Sequence, residues 1–305
     1  MIRLDGDPGS WRAGPCSVAI GTFDGVHRGH RAVLAAVLGG RAAPAVLTFA
    51  NHPATVLRPD EPMPMLTDLD DRLHLIAEAG IEVAAVVDFD RRFRELSPAE
   101  FADRYLVSGL GAVLVAVGQG FRFGRGAAGS VDTLRLLGAD RGFEVVEVAP
   151  VSDRGVQVRS SQIRALLSEG AVSSAAELLG RPHSVSGVVI AGDGRGRSIG
   201  VPTANITVTP GTAMPAGGVY AVLADVDGDR VPGVANLGTR PTFGGGEPIL
   251  EVHLFDFSAD LYGEPIRVLF VERIRDERKF DSIEALVAQI ADDVETGRDL
   301  LRRGS

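Results

Sequence analysis

A glycine-rich string near the start of the chain carries residues suited to phosphate chemistry: Gly21-Thr22-Phe23-Asp24-Gly25-Val26-His27-Arg28-Gly29-His30. An apolar run precedes the string and an apolar helical pattern over 32–38 follows it, which predicts a strand-to-helix turn. Glycines let a phosphate approach the backbone, and the start of a helix offers free N–H groups. Because His27 and His30 are three residues apart, they share one face of the first turn. The string therefore predicts a phosphate site to which two imidazoles donate hydrogen bonds.

Two other interpretations of the histidine pair are a solvated turn without a ligand and a two-histidine metal site. The sequence offers no obvious third metal ligand nearby, and the strand-turn-helix context favours phosphate. Lys279 is the single lysine among 31 basic residues, and it lies far from this turn. A P-loop lysine and a Schiff-base lysine are therefore both excluded here.

A second glycine-rich string occupies residues 192–200 and leads into Val201-Pro202-Thr203-Ala204-Asn205. Its glycines, Gly194 and Gly196 among them, are also compatible with a merely mobile hairpin. On an extended segment Thr203 and Asn205 face the same way. Hydroxyl and amide oxygens suit Mg²⁺, a hard cation that accompanies phosphates. The segment therefore predicts a second nucleotide site, with Mg²⁺ held through Thr203 and Asn205.

The composition of the chain excludes several classes of protein. Six scattered histidines and one cysteine, Cys16, are too few for a structural zinc site or an intrachain disulfide. A formal net charge of −9 disfavours a nucleic-acid or anionic-membrane partner. No apolar run approaches the roughly 18 residues of a membrane span, and the N-terminus lacks a signal-peptide pattern. A cytoplasmic location is predicted.

The elements that must position the first string follow an alternating pattern. Short apolar runs alternate with helical patterns from residue 16 to about 180, which is typical of βαβ units on a parallel sheet. A capping box at Ser97-Pro98-Ala99-Glu100 predicts one helix start, and Ser174 with Glu177 repeats the spacing. We therefore predict an α/β domain over residues 1–181. Its strands are predicted at Cys16–Ile20, Ala45–Phe49, Val83–Val87, Ala112–Val117 and Phe143–Val148.

The pattern changes after Arg181-Pro182 to strands separated by turns, which indicates an antiparallel barrel or sandwich over residues 182–305. An apolar stripe beginning at Ile283, behind a cap at Asp281 or Ser282, predicts a closing helix. The strands of this half are predicted at Val185–Ile190, Val219–Val226, Val231–Asn236, Leu250–Phe257 and Ile266–Ile274.

The string Gly21–His30 resembles the nucleotidyltransferase signature of the bacterial bifunctional riboflavin kinase/FAD synthetase family. The resemblance covers essentially the whole chain, including the strings at 47–53, 118–124 and 160–164. It implies a Rossmann-like nucleotidyltransferase domain in which His27 and His30 hold ATP phosphates. Ser160 and Arg164 supply a hydroxyl and an arginine to the same triphosphate. The signature also assigns Gly21, Phe23 and Gly29 to the nucleotide site.

The second half of the chain resembles the flavokinase part of the same family. Residues 192–205 match its glycine-rich motif, in which Thr203 and Asn205 contact Mg-ATP and Gly194 and Gly196 belong to the nucleotide loop. The strings at 218–221, 236–244 and 250–257 match as well. In the last of these, Glu251 is assigned as the general base that accepts the proton of the riboflavin 5′-hydroxyl.

The resemblance implies a two-step enzyme that uses ATP as co-substrate, Mg²⁺ as cofactor, and riboflavin and FMN as substrates. The C-terminal barrel would phosphorylate riboflavin to FMN. The N-terminal domain would adenylylate FMN to FAD without a protein nucleophile, because the FMN phosphate is already an anion. No nucleic-acid or membrane partner is expected, and self-association stays open.

Three residues depart from the family pattern in the N-terminal half: Asn51 stands where proline is usual, Gly120 where an acidic or amide residue is usual, and Arg159 where serine is usual. Asn51 and Gly120 motivate one alternative, a monofunctional riboflavin kinase with a drifted adenylyltransferase domain, whereas Arg159 adds only a cation beside the phosphate site. A non-catalytic flavin- or nucleotide-binding regulator is a second alternative. An altered flavin or nucleotide substrate is a third, because pocket shape decides such discrimination.

Overall fold

A computed structural model describes residues 1–61, 63–191, 200–239 and 248–303, with backbone alone for Thr239 and Pro248. The chain divides into two compact units, residues 1–160 and 161–305. Each unit has one main sheet and its own apolar core. No helix in the described ranges is long and apolar enough to cross a membrane.

The first unit contains a six-stranded sheet in the order β1-β4-β3-β2-β5-β6, and all of its strand pairs are parallel. The predicted parallel sheet is confirmed, while the three-residue strand β1 was not predicted because it is too short to show a pattern. The strands are β1 (Ile2–Leu4), β2 (Cys16–Ile20), β3 (Ala43–Phe49), β4 (Val83–Val87), β5 (Ala112–Gly118) and β6 (Glu144–Val148). A two-stranded ribbon follows, formed by β7 (Ser152–Asp153) and β8 (Val156–Gln157).

Helices cover both faces of this sheet, so its central strands are buried on both sides. The capping box predicted at Ser97 and Glu100 is present, with both reciprocal hydrogen bonds. The helix it starts continues as a π-helical segment over Ala102–Gly109. The helices are α1 (Arg28–Ala35), α2 (Pro53–Leu57), α3 (Leu69–Glu78), α4 (Arg91–Arg94), α5 (Pro98–Phe101) and α6 (Val131–Arg141).

The second unit is a closed antiparallel barrel in the order β10-β13-β12-β11-β14-β9. Closure decides between the predicted barrel and sandwich. The strand β10 was not predicted, because its alternating run is only five residues long and directly follows the glycine-rich string. The strands are β9 (His183–Ile190), β10 (Ala204–Val208), β11 (Gly218–Val226), β12 (Asp229–Thr239), β13 (Pro248–Leu254) and β14 (Pro265–Arg275).

Three helices accompany the barrel: α7 (Ser160–Ser168), which begins at the last residue of the first unit, α8 (Val172–Leu179) and α9 (Ile283–Arg303). The closing helix α9 begins where predicted, and the Ser282 hydroxyl accepts the Ala285 N–H at 3.1 Å. The second capping box is wrong: α8 begins at Val172, and Ser174 lies inside it. The apolar stripe of α8, which includes the buried Val172 and Ala175, fixes the start of the helix instead.

Candidate active sites

The histidine pair lies at the N-terminus of α1, directly after the buried strand β2. The Nδ1 atom of His27 accepts the backbone N–H of His30 at 3.1 Å, so His27 is itself the N-cap of the helix. The two imidazole rings stack with centroids 3.5 Å apart and an interplanar angle of 15°. Because Nδ1 of His27 is an acceptor, its proton lies on Nε2. The helix therefore starts at Arg28, four residues before the predicted apolar run.

The turn before the helix is held by hydrogen bonds from other parts of the first unit. The Asp24 carboxylate is 1% exposed and accepts the backbone N–H groups of Leu66 and Thr67 at 2.9 and 3.1 Å. Ser160 donates from its hydroxyl to the Asp24 carbonyl at 2.9 Å. Ser160, predicted to serve the nucleotide site, is thereby joined directly to the turn that carries the histidines.

The backbone of this turn is strained. Phe23 and Val26 have φ angles of 54° and 39°, in the left-handed region that β-branched and bulky residues avoid. Gly25, at φ 84°, lies between them. Strain of this kind persists only where surrounding contacts impose it, and it clusters at functional sites.

Two glycines of the string make room for aromatic rings. A Cβ at Gly29 would lie 3.1 Å from Cε1 and 3.2 Å from Nδ1 of His27. A Cβ at Gly21 would lie 3.1 Å from the ring of Phe23. The Phe23 ring in turn packs edge-on against His30, with centroids 5.4 Å apart. Gly21, Phe23 and Gly29 therefore determine where the imidazoles lie.

Arg72 of α3 was not predicted, although it lies immediately behind the turn. Its side chain is fully buried and donates to the carbonyls of Thr22 at 3.0 Å and Phe49 at 2.6 Å. Thr48 donates to the same Thr22 carbonyl at 3.1 Å. A buried arginine fifty residues from its partner leaves no pattern in the local sequence.

The pKa of His30 is lowered well below its usual value. Burial is the main cause, and the neighbouring His27 and the cation of Arg72 add to it. His30 is therefore neutral at physiological pH and presents a hydrogen-bond donor rather than a charge.

Arg164 lies one turn after Ser160 on α7 and is half-buried. Arg159, one of the departures from the family pattern, is exposed and donates to the side chain of Gln157. The structure thus gives Arg159 a partner on the β-ribbon.

The other two departures are accommodated by the fold. The Asn51 side chain accepts the Phe89 N–H at 2.8 Å and donates to the Phe89 carbonyl at 3.0 Å, joining the segments after β3 and β4. Gly120 has a φ of 76°, and a Cβ there would meet no atom within 4 Å. Asparagine and aspartate tolerate this conformation better than other side chains, so glycine replaces them without distorting the turn.

An aromatic cluster follows the carboxyl ends of the strands in the first unit. Phe49 ends β3, Phe89 comes just after β4, and Phe121 with Phe123 comes just after β5. Ligands of open α/β sheets bind at this edge. Phe89, Phe93 and Phe121 are partly exposed, so aromatic surface is available there. The cluster consists of Phe49, Phe89, Phe93, Phe101, Tyr105, Phe121 and Phe123, joined by ring contacts of 5.2 to 5.9 Å.

In the second unit, Glu251 of β13 is paired directly with Asn205 of β10 and with Asn236 of β12. Directly paired residues share a face of the sheet, with Cβ atoms about 4.5–5.5 Å apart. The neighbouring row, Val252 with Ala235 and Tyr220, is buried inside the barrel. The Asn205-Glu251-Asn236 row therefore lies on the outer wall, where a carboxylate is flanked by two amides.

Thr203 lies beside a cleft of about 410 Å³ at one end of the barrel. The cleft has an apolar floor that includes Val189, Val252 and Leu254, and polar groups at its rim that include Asp260 and Tyr262. His253 donates from Nδ1 to the Pro202 carbonyl at 2.8 Å and so anchors the segment before Thr203. An apolar floor with a few polar rim groups is the usual composition of a small-molecule site.

Gly194 and Gly196 lie outside the described residues. Within the described ranges, no group of three or more His, Cys, Asp or Glu residues could hold a metal ion. The oxygen donors suited to a hard cation are those of Asn205 and Glu251, which are paired across β10 and β13, and of Thr203, which precedes β10. They fit a cation that is shared with phosphate rather than held by protein alone.

Comparison with known proteins gives two matches to family models, an FAD synthetase model over residues 10–162 and a riboflavin kinase model over residues 179–301. The chain is 40% identical to the bifunctional riboflavin kinase/FMN adenylyltransferase of Escherichia coli (strain K12), across 93% of this chain and 92% of that protein. It is 41% identical to the protein of the same name from Bacillus subtilis (strain 168), across 90% and 89%.

Among solved structures, a protein from Streptococcus pneumoniae described as a macrolide-efflux protein aligns with a TM-score of 0.90 and 32% identity. The alignment covers 98% of this chain and 99% of that one. The two matched regions are thus those of proteins that transfer phosphoryl and nucleotidyl groups to flavins. The chain belongs to the bifunctional riboflavin kinase/FMN adenylyltransferase family.

Proposed function

We propose that this chain converts riboflavin to FMN and FMN to FAD, each step consuming ATP. The observation that carries the proposal is that the chain matches both family models, one in each half of the chain. The histidine pair lies at a helix N-terminus in the first unit, and Glu251 lies between two amides in the second. We assign the adenylyltransferase domain to residues 1–181 and the kinase domain to residues 182–305.

In the kinase step, Glu251 accepts the proton of the riboflavin 5′-hydroxyl as that oxygen attacks the γ-phosphate of ATP. The side-chain amides of Asn205 and Asn236 flank the carboxylate of Glu251, and we assign them to contacts with the substrates there. The cleft next to Thr203 has an apolar floor that suits an aromatic ring, and we assign the adenine to it. Gly194 and Gly196 are proposed to contact the nucleotide.

In the adenylylation step, an FMN phosphate oxygen attacks the α-phosphorus of ATP, and the bond to the pyrophosphate oxygen breaks. His27, His30 and the free N–H groups of α1 donate to the triphosphate, and their hydrogen bonds strengthen as charge gathers on the leaving group. Ser160 and Arg164 are assigned to the same triphosphate. The protein acts by in-line positioning and needs no nucleophile of its own.

Mg²⁺ is the cation we propose for the kinase site, held through the oxygens of Thr203 and Asn205. When bound, it neutralises phosphate charge. The isoalloxazine of FMN is proposed to lie against the aromatic cluster, because partly exposed rings at the carboxyl edge of the sheet offer flat apolar surface. The single, buried cysteine supports a cytoplasmic location. The acidic net charge supports small-molecule partners rather than nucleic acid.

The three residues that depart from the family pattern do not support the alternative functions. Asn51, Gly120 and Arg159 each have an ordered place in the first unit, so a drifted adenylyltransferase domain is not favoured. Glu251 between two amides is more than a non-catalytic regulator needs. An altered flavin or nucleotide substrate would change the lining of the sites rather than the assigned residues.

The test uses two variants, His30→Ala and Glu251→Gln, assayed separately with riboflavin and MgATP and with FMN and MgATP. We expect His30→Ala to lose about 10²–10³-fold in FAD formation and to keep FMN formation, because it removes one transition-state donor. Glu251→Gln should lose about 10²–10⁴-fold in FMN formation and still make FAD from FMN. Chromatographic separation of the flavins measures both rates.

The matched control is His74→Ala, which removes an exposed histidine of α3 and should leave both rates unchanged. Equal loss of both activities in either active-site variant would contradict two separate sites. Unmodified protein that makes FMN and no FAD would support the monofunctional kinase, and the absence of both products would support the regulator.

A further inference from the structure

Within the described ranges, three buried side-chain polar atoms have no hydrogen-bond partner: His30 Nδ1, Arg72 Nε and Arg273 Nε. The first two belong to the same site, because Arg72 lies behind the turn that carries His30. Buried polar atoms without partners are uncommon, and each one calls for a physical reason.

The guanidinium of Arg72 is fixed in position. One terminal nitrogen donates to the Thr22 carbonyl and the other to the Phe49 carbonyl. Both acceptors are neutral, so these bonds do not cancel its charge. The carboxylates that act on it electrostatically are those of Asp24 and Asp68. Asp24 already accepts two backbone N–H groups, and Asp68 caps α3 by accepting the Asp71 N–H.

This cation acts electrostatically on His30, and the ring of His30 stacks on that of His27. A second positive charge there is disfavoured by burial and repelled by the cation of Arg72. The ring of His30 is therefore neutral and carries one proton, on either Nδ1 or Nε2. Its Nδ1 atom is the buried one, on the side away from solvent.

We infer that Arg72 is a positioning residue that selects the Nε2–H tautomer of His30, because a nitrogen lone pair on the buried side is stabilised by the guanidinium charge and an N–H there is repelled by it. With Nε2–H in both rings, the stacked pair presents two donors to the nucleotide. The catalytic consequence rests on the function proposed above, whereas the tautomer itself does not.

The direct test is long-range ¹H–¹⁵N correlation NMR on the full chain labelled with ¹⁵N-histidine, without nucleotide. The protein contains its own references. His183 lies with Nε2 2.8 Å from the Ala213 carbonyl and must donate from Nε2. His253 lies with Nδ1 2.8 Å from the Pro202 carbonyl and must donate from Nδ1. The signals of His30 are assigned as those missing from the spectrum of His30→Ala. They should show the same ¹H–¹⁵N correlation pattern as His183, which is that of a ring protonated on Nε2.

Two substitutions test the dependence on Arg72. Arg72→Lys retains the charge and should keep the Nε2–H pattern and most of the FAD-forming rate. Arg72→Met removes the charge; we expect a mixed tautomer signal at His30 and a loss of about 10²-fold in kcat for FAD formation, because the donor is misdirected. FMN formation by the same preparations should be unchanged. Arg141→Lys, in an exposed ion pair of the same unit, is the control.

The inference is overturned if His30 of the unmodified chain gives the His253 pattern or an imidazolium signal at pH 7. It is also overturned if a folded Arg72→Met protein retains both the Nε2–H pattern and the FAD-forming rate. Should Arg72→Met fail to fold, the unmodified chain and Arg72→Lys still decide. A chain that makes no FAD but shows the Nε2–H pattern would contradict the proposed function and leave this inference standing.

Discussion

At the scale of single residues, the position of the His27 ring depends on the missing side chain of Gly29. We predict that Gly29→Ala lowers FAD formation about tenfold, because a Cβ 3.1 Å from the ring must push it by a few tenths of an ångström. Thermal stability should be unchanged or raised, since alanine favours the helix by up to about 1 kcal/mol. Steady-state assays of both activities, beside a melting curve, check the prediction.

Gly40→Ala is the matched control for this substitution, because a Cβ there would make only an ordinary contact, 3.6 Å from the Ser17 hydroxyl. A Gly29→Ala protein with full FAD formation would show that the imidazole tolerates displacement.

Among the residues of the first site, the sequence could predict those that are close together along the chain. His27 and His30 share a face because they are three residues apart, and the structure brings them into contact. Arg72 could not be predicted, because its partners Thr22 and Phe49 come from other segments of the chain. An arginine on an amphipathic helix looks like any surface arginine until the tertiary structure buries it.

At the scale of elements, α9 is attached to the barrel by a buried ion pair. Asp293, with a side chain 4% exposed, accepts from two nitrogens of Arg275 at the end of β14 and from Gln289 one turn earlier. We predict that Asp293→Ala destabilises the second unit by about 3–5 kcal/mol, because it leaves the guanidinium partly buried without its partner. Urea unfolding measured by circular dichroism provides the value.

The comparison for that prediction lies on the same helix. Asp299 forms an exposed pair with Arg302 at 3.4 Å, and Asp299→Ala should cost at most about 1 kcal/mol. If the two variants lose similar amounts of unfolding free energy, the Asp293–Arg275 ion pair stabilises the protein no more than an exposed pair does.

The elements themselves were predicted unevenly. Apolar strands such as β2 and β4 were predicted at their observed bounds, because burial on both faces leaves continuous hydrophobic runs. The strand β10 was missed although its apolar and polar residues alternate, because the run is only five residues long and directly follows the glycine-rich string. Its place is set by pairing with β9 and β13, which local sequence does not encode.

At the scale of the whole molecule, the two matched regions are separate along the chain, at residues 10–162 and 179–301. We predict that a mixture of the His30→Ala and Glu251→Gln proteins makes FAD from riboflavin, after a lag in which FMN accumulates. The first protein retains the kinase site and the second retains the adenylyltransferase site. Time courses of all three flavins test this, with each variant alone as control.

FMN that accumulates in the mixture without any FAD would contradict the prediction, and so would the absence of a lag. FMN without FAD would mean that the Glu251→Gln protein lacks a working adenylyltransferase site. The absence of a lag would mean that FMN reaches the second protein without accumulating in solution.

The two faces of β13 carry different kinds of side chain. Leu250, Val252 and Leu254 are buried, whereas Glu251 and His253 lie between them on the outer wall. Val252 and Leu254 also line the floor of the cleft next to Thr203, so these two residues contribute both to the core and to the shape of the cleft. A substitution at either position is expected to change core packing and cleft shape together, whereas a substitution at Glu251 leaves the buried side of the strand intact.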